Sequence, residues 1–165
     1  MTGKNGDRQF VDTNVLVYAH DTSAGEKHAR AKALVAELWQ SGNGCLSVQV
    51  LQEFYVTVTQ KVRKPLAPET ASRIIKYLSN WRVHTPDACD VLEAIRIQQR
   101  YAISFWDAMI IRSAEALDCR VIWSEDLSPG QYYGKVKVAN PFSCGDDHNR
   151  SGQKTYFSRY LRGTR

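Results

Sequence analysis

The chain has 165 residues, 43% hydrophobic and 24% charged, which is the make-up of one globular domain with a sizeable core. No apolar run approaches the roughly 18 residues needed to cross a bilayer, the polar start Met1-Thr2-Gly3-Lys4 carries no hydrophobic signal region, and Cys45, Cys89, Cys119 and Cys144 form no Cys-x-x-Cys pair. These features argue against a membrane protein, a secreted disulfide framework and a thiolate zinc site; the expectation is a cytoplasmic protein with reduced, mostly buried thiols.

Net charge is +5 with a pI near 9.1, which invites a polyanionic partner. Residues 1–143 hold 17 Lys/Arg against 15 Asp/Glu, and residues 144–165 hold 5 against 2. The excess therefore sits largely on the C-terminal segment.

In chain order, Phe10-Val11 closes a first strand, and Asp12-Thr13-Asn14 interrupts the apolar sequence before Val15-Leu16-Val17. Gly25-Glu26 opens a helix to about Ser41, with Ala31, Leu34, Val35 and Leu38 at helical spacing; Gly42-Asn43-Gly44 stops it. Cys45-Leu46-Ser47 reads as a short strand, with Ser47 as the cap of the next helix. That helix carries Leu51, Phe54, Tyr55, Val58 and Val62 as its stripe and ends in Lys61-Val62-Arg63-Lys64-Pro65, cations at the negative end of the dipole followed by a proline stop. A third helix starts at Pro68-Glu69 with Ala71, Ile74, Ile75 and Leu78 inward, and Val83-His84 follows as a strand. Asp87 to about Tyr101 is a fourth helix with Val91, Leu92 and Ile95. A fifth, Phe105 to Leu117 after Ser104, is apolar almost all round and hence central. Val121-Ile122-Trp123 and Val136-Lys137-Val138 are the last strands. Strands alternating with helices imply an α/β domain over residues 1–143, a parallel sheet of four to five strands covered on both faces. Residues 144–165 read as a flexible basic tail, in which Tyr156, Phe157, Tyr160 and Leu161 could make a docking helix.

Four acids stand in otherwise apolar settings: Asp12, Glu53, Asp107 and Asp126. Each has a plain structural reading. Asp12 can cap a turn. Asp107 completes a near-capping box with Ser104. Glu53 lies off its helix's apolar stripe, where solvation is usual, and Asp126 sits in a turn sequence. The alternative is collective. Strand ends and inner helix starts converge on one edge of a parallel sheet, where ligands bind; carboxylates crowded there repel one another unless a cation neutralises them, and an oxygen-only donor set suits Mg²⁺ or Mn²⁺. His20, His28, His84 and His148 lack ligand spacing and read as surface or cap residues. Asp21 and Glu26 read as turn and first-turn acids, with an outer-shell contact open to Asp21. Lys61, Arg63 and Lys64 are explained by helix ending, with RNA phosphate contact as the alternative.

Phe10-Val11-Asp12-Thr13-Asn14-Val15-Leu16, Glu53 on the following long helix, Ser104-Phe105-Trp106-Asp107-Ala108 and Ser124-Glu125-Asp126-Leu127 together resemble the PIN domain family, and within it the VapC-type toxins. The resemblance covers residues 8–142; Ser124 replaces the commoner Thr of the closing motif, and nothing in it bears on the tail. It implies a Rossmann-like sheet and a Mg²⁺- or Mn²⁺-dependent endoribonuclease, commonly a homodimer, held inactive by a cognate antitoxin. Carried over by position, Asp12, Glu53, Asp107 and Asp126 would be the catalytic, metal-binding acids, with Thr13, Asn14 and Ser124 orienting them or the water. Competing readings are a catalytically silent module that binds RNA or protein, a structure-specific DNA nuclease, and phosphoryl transfer through Asp12 as nucleophile.

Overall fold

A computed structural model describes residues 7–143; the proposed tail, Cys144 and His148 lie outside the described residues. Six strands form one sheet: β1 (Gln9–Val11), β2 (Gly44–Ser47), β3 (Arg82–His84), β4 (Val121–Trp123), β5 (Tyr132–Tyr133) and β6 (Val136–Ala139). Their order is β3-β2-β1-β4-β6-β5, parallel throughout except for the β5–β6 hairpin at one edge. The sheet thus has six strands where four to five were expected. The extra member, β5, is a two-residue strand turned back through Gly134 at φ +59°, too short to leave a periodic signal.

Helices α1 (Thr13–His20), α2 (Glu26–Ser41), α3 (Val48–Gln60), α4 (Pro68–Leu78), α5 (Ala88–Tyr101) and α6 (Phe105–Ala116) flank the sheet. α1 was not anticipated. Asp12 keeps extended backbone angles while its carboxylate accepts the Thr13 amide, so the residue that follows β1 is at once the N-cap of a helix. Thr13, Asn14, Val15, Leu16, Val17 and Ala19 are all buried, and a helix buried on every side shows no amphipathic period. Gly42, at φ +70°, ends α2 in the left-handed conformation that glycine tolerates.

Two helix faces differ from the sequence expectation. On α3 the buried set is Val50, Phe54, Thr57 and Val58, and Tyr55 faces out. On α5, Val91, Leu92 and Ile95 are exposed, whereas Asp90, Ala94 and Ile97 turn inward. The reason is a polar anchor. Arg112 Nε of α6 donates to Asp90 at 2.8 Å, His84 Nε2 of β3 lies 3.3 Å from the same carboxylate, and His84 Nδ1 meets the buried Ser113 hydroxyl at 3.0 Å. His84 is thus an internal tie between β3, α5 and α6 and not a surface residue. His20 and His28 are also part-buried, each donating from Nδ1 to a backbone carbonyl, of Leu16 and Tyr18 respectively. Cys45 and Cys119 are buried free thiols; Cys89 is free and exposed. Among the described residues no helix is long and apolar enough to cross a membrane.

Candidate active site

The register of the sheet sets the site. Phe10 pairs with Cys45 and with Ile122, and Val11 with Trp123. Asp12 therefore emerges level with the residues that follow β2 and β4, and the Asp12 amide donates to the Trp123 carbonyl at 3.0 Å, one rung beyond the strand. The order β2-β1-β4 reverses the direction of travel at β1, and at such a reversal the strand ends part to leave a crevice. α3, begun by the Ser47 cap, rises from the same edge with Gln49 and Glu53, and the first turn of α6 brings Trp106 and Asp107.

Asp12, Glu53, Asp107 and Asp126 line one small open cleft, together with Thr13, Asn14, Gln49, Trp106 and Ile110. Asp12 is 7% exposed and is the best-held acid. One oxygen takes the Thr13 amide at 2.7 Å, and the other takes the Ser124 hydroxyl at 2.8 Å. Asn14 Nδ2 donates to Asp126 at 3.1 Å and approaches Asp12 at 3.5 Å, while its carbonyl oxygen accepts the Glu125 amide at 3.3 Å. Ser124 Oγ also accepts the Asp126 amide at 3.1 Å. Asn14 and Ser124 thus tie the start of α1 to the loop after β4. Thr13 Oγ1 donates to Glu53 at 2.8 Å, and Gln49 Nε2 donates to the other Glu53 oxygen at 3.0 Å. Ser104 accepts the Asp107 amide at 3.0 Å, so the capping role of Ser104 and the placement of Asp107 in the cleft coexist.

Burial, reinforced by the negative charges of Glu53, Asp126 and Asp107, pushes the Asp12 carboxyl up from 3.8 to about 8, against the opposing pull of the Ser124 hydroxyl. Asp12 therefore feels the charge of the other three acids. As the side chains stand, no three of them close around a single point as metal ligands, among the described residues. The donor set nonetheless fits a hard cation, because every carboxylate oxygen in the cleft is of the type that Mg²⁺ and Mn²⁺ take. Gln49 Oε1, buried and without a hydrogen-bond partner, is a further unused acceptor.

Lys61, Arg63 and Lys64 are not brought to this cleft. They follow the end of α3, about 12 Å along the helix axis from Glu53. Asp21 caps a short 3-10 turn through Ser23 and makes no contact with the acids. Two residues that the sequence reading passed over do belong to the site. Gln49 stands one helical turn before Glu53, an i,i+4 spacing that signals contact; Trp106 is the residue next to Asp107. A supporting cluster was also unforeseen. Buried Glu125 is paired with Lys27 of α2, whose ammonium lies over the rings of Tyr18 and Phe142 at 4.9 and 5.5 Å. Burial and the neighbouring Glu125 carboxylate, which the Tyr18 hydroxyl meets, push that phenol well above its usual range.

The molecule is thus an α/β domain with four acids gathered at the reversal of its strand order. Residues 10–133 match the PIN domain family model, and the chain belongs to that family. The fold is shared with Mycobacterium tuberculosis VapC20, described as a Sarcin-Ricin loop cleaving toxin (22% identity, TM-score 0.56, 72% of this chain and 89% of that one). It is shared also with a toxin–antitoxin complex from Klebsiella pneumoniae (19%, TM-score 0.59, 82% and 99%) and with DNA-bound VapBC from Salmonella typhimurium (16%, TM-score 0.59, 82% and 98%). No curated protein is significantly similar to the chain.

Proposed function

We propose that this PIN domain is a Mg²⁺- or Mn²⁺-dependent endoribonuclease, the toxin of a toxin–antitoxin pair. The observation that carries the reading is the convergence of Asp12, Glu53, Asp107 and Asp126, from four separate segments, on one cleft where three of them raise the pKa of the fourth. Such crowding costs stability and is tolerated where a cation is to be bound. The toxin role rests on likeness to solved toxin–antitoxin proteins that share this fold. A cognate antitoxin and a second copy of the chain are the partners that this reading implies.

In this scheme the four acids hold the cation. A bound Mg²⁺ or Mn²⁺ supplies positive charge to the phosphodiester and lowers the pKa of a water. The remaining work belongs to the chain. The Thr13 amide and the Ser124 hydroxyl point Asp12 into the cleft, and the Ser124 hydroxyl favours its anion against the opposing pull of burial. Asn14 fixes Asp126 against Asp12, and Thr13 with Gln49 fixes Glu53. These ties pre-set the ligand directions, so that little is reorganised when substrate arrives.

The test is incubation of the purified full chain with mixed cellular RNA in Mn²⁺, in EDTA, and as Asp12→Asn. Cleavage that needs Mn²⁺ and is lost in both other arms is the expected result. RNA retained but never cut in any arm would sink the enzyme reading and leave a silent binding module.

A further inference from the structure

Trp106 is 62% exposed, yet it lines the acidic cleft beside Asp107. A single exposed indole is ordinary by itself, but this one stands at the acidic cleft and is held there. Its ring meets Phe105 edge to face, with centroids 5.2 Å apart. Its carbonyl accepts a hydrogen bond from Gln49 Nε2 at 3.4 Å, the same nitrogen that binds Glu53. The backbone of Trp106 is thus tied to an acid of the site through a single side chain. Among the residues that line the cleft there is no Lys or Arg, so the cleft itself offers a polyanion no direct charge attraction. An aromatic face offers an attraction that the acids do not oppose, because stacking acts on a base and not on its phosphate.

We propose that Trp106 is a stacking platform for one nucleobase of single-stranded RNA, seating the neighbouring phosphate over the acids. The proposal rests on the ribonuclease reading and adds a substrate class to it. A base reaches the ring only if it is free of its own helix, so the strand at the cleft is unpaired: a loop, a bulge or an end. Trp106 is a binding residue in this account, with its backbone carbonyl tied to Gln49 and its ring set against Phe105.

The experiment uses the full chain carrying Asp12→Asn, so that RNA survives, and a fluorescein-labelled ten-nucleotide RNA of mixed sequence, alone or annealed to its complement, in Mg²⁺. Fluorescence anisotropy reads affinity. Trp106→Ala is expected to weaken binding of the single strand about five- to a hundred-fold, the usual worth of one base stack, and Trp106→Phe to recover most of it, while the duplex is bound poorly by all three. Equal affinities for the Trp and Ala forms overturn the proposal and leave the ring to a protein partner. A Phe form as weak as the Ala form, or an equal loss on the duplex, overturns it as well. Failure of the ribonuclease reading shows separately, as the absence of Mn²⁺-dependent cleavage by the unaltered chain, and leaves the affinity comparison intact.

Discussion

Replacing Asp12 by Asn is expected to abolish cleavage and, in EDTA, to make the protein harder to unfold above about pH 6. The Asp12 carboxyl titrates near 8 in the folded chain against 3.8 when unhindered. Between those values the folded state holds a proton that the unfolded chain has released, so stability falls as pH rises and this contribution is exhausted once pH passes the folded value. From pH 6 to pH 8 this one group removes about 2 kcal/mol, equivalent to about 4–8 °C of melting temperature for a domain of this size. Asparagine carries no charge to desolvate, and it caps a helix as well as aspartate does, so the bond to the Thr13 amide survives. The assay is thermal unfolding of both proteins in EDTA at half-unit steps across that range. Groups remote from the cleft act equally in both chains and cancel in the difference. Curves that run parallel would refute the argument, because Asp12 would then ionise without hindrance and the acids would not be crowded. Saturating Mn²⁺ should flatten the wild-type curve and leave that of Asp12→Asn nearly unmoved.

Three further outcomes follow from the geometry. Ser124→Ala removes hydrogen bonds to both Asp12 and Asp126; it should cost about 1–2 kcal/mol and, with one stabilising contact to the Asp12 anion gone, shift the Mn²⁺ activation curve to higher concentration. Asp90→Ala leaves Arg112 without its buried partner and should cost about 3 kcal/mol in denaturant unfolding with Mn²⁺-dependent turnover intact. Hydrogen bonding from the Asp87 amide and from Arg112 holds Asp90 below the usual carboxylate range, so its contribution is present above that range and disappears as pH falls through the lowered value; the penalty of Asp90→Ala should shrink in acid. Gly44→Ala would set a methyl 2.5 Å from the Trp81 ring, and a loss of about 1–3 kcal/mol by overpacking is expected from the same unfolding measurement.

The amino-acid sequence discloses the parts of this molecule that punctuation marks. α2 is legible at both ends because Gly25 and Gly42 bound a periodic run, and three of the cleft acids could be located because each follows a strand or starts a helix. What it hides has tertiary causes. α1 carries apolar residues on every face, so no period betrays it. The inward face of α5 is decided by Arg112 on α6 and by His84 at the end of β3, which no helical period of α5 can show; the apolar Val91, Leu92 and Ile95 point the other way. Glu53 looked solvated because Tyr55 was counted into the buried stripe. With Tyr55 outward and Val50 inward, the helix rotates and Glu53 faces Thr13 and the cleft. Gln49 and Trp106 belong to no charge pattern, and only proximity reveals them.

The position of β4 bears on when this cleft comes into being. β1 is made first, but its neighbour β4 is translated more than a hundred residues later, and Ser124 and Asp126 arrive with it. A nascent or prematurely terminated polypeptide that stops before Trp123 has three of the four acids but lacks Asp126 and the Ser124 hydroxyl that holds Asp12, and one edge of β1 stays unpaired however much of its helical shell has formed. The cleft is therefore closed by a late segment of the chain, not built up gradually with the helices before it.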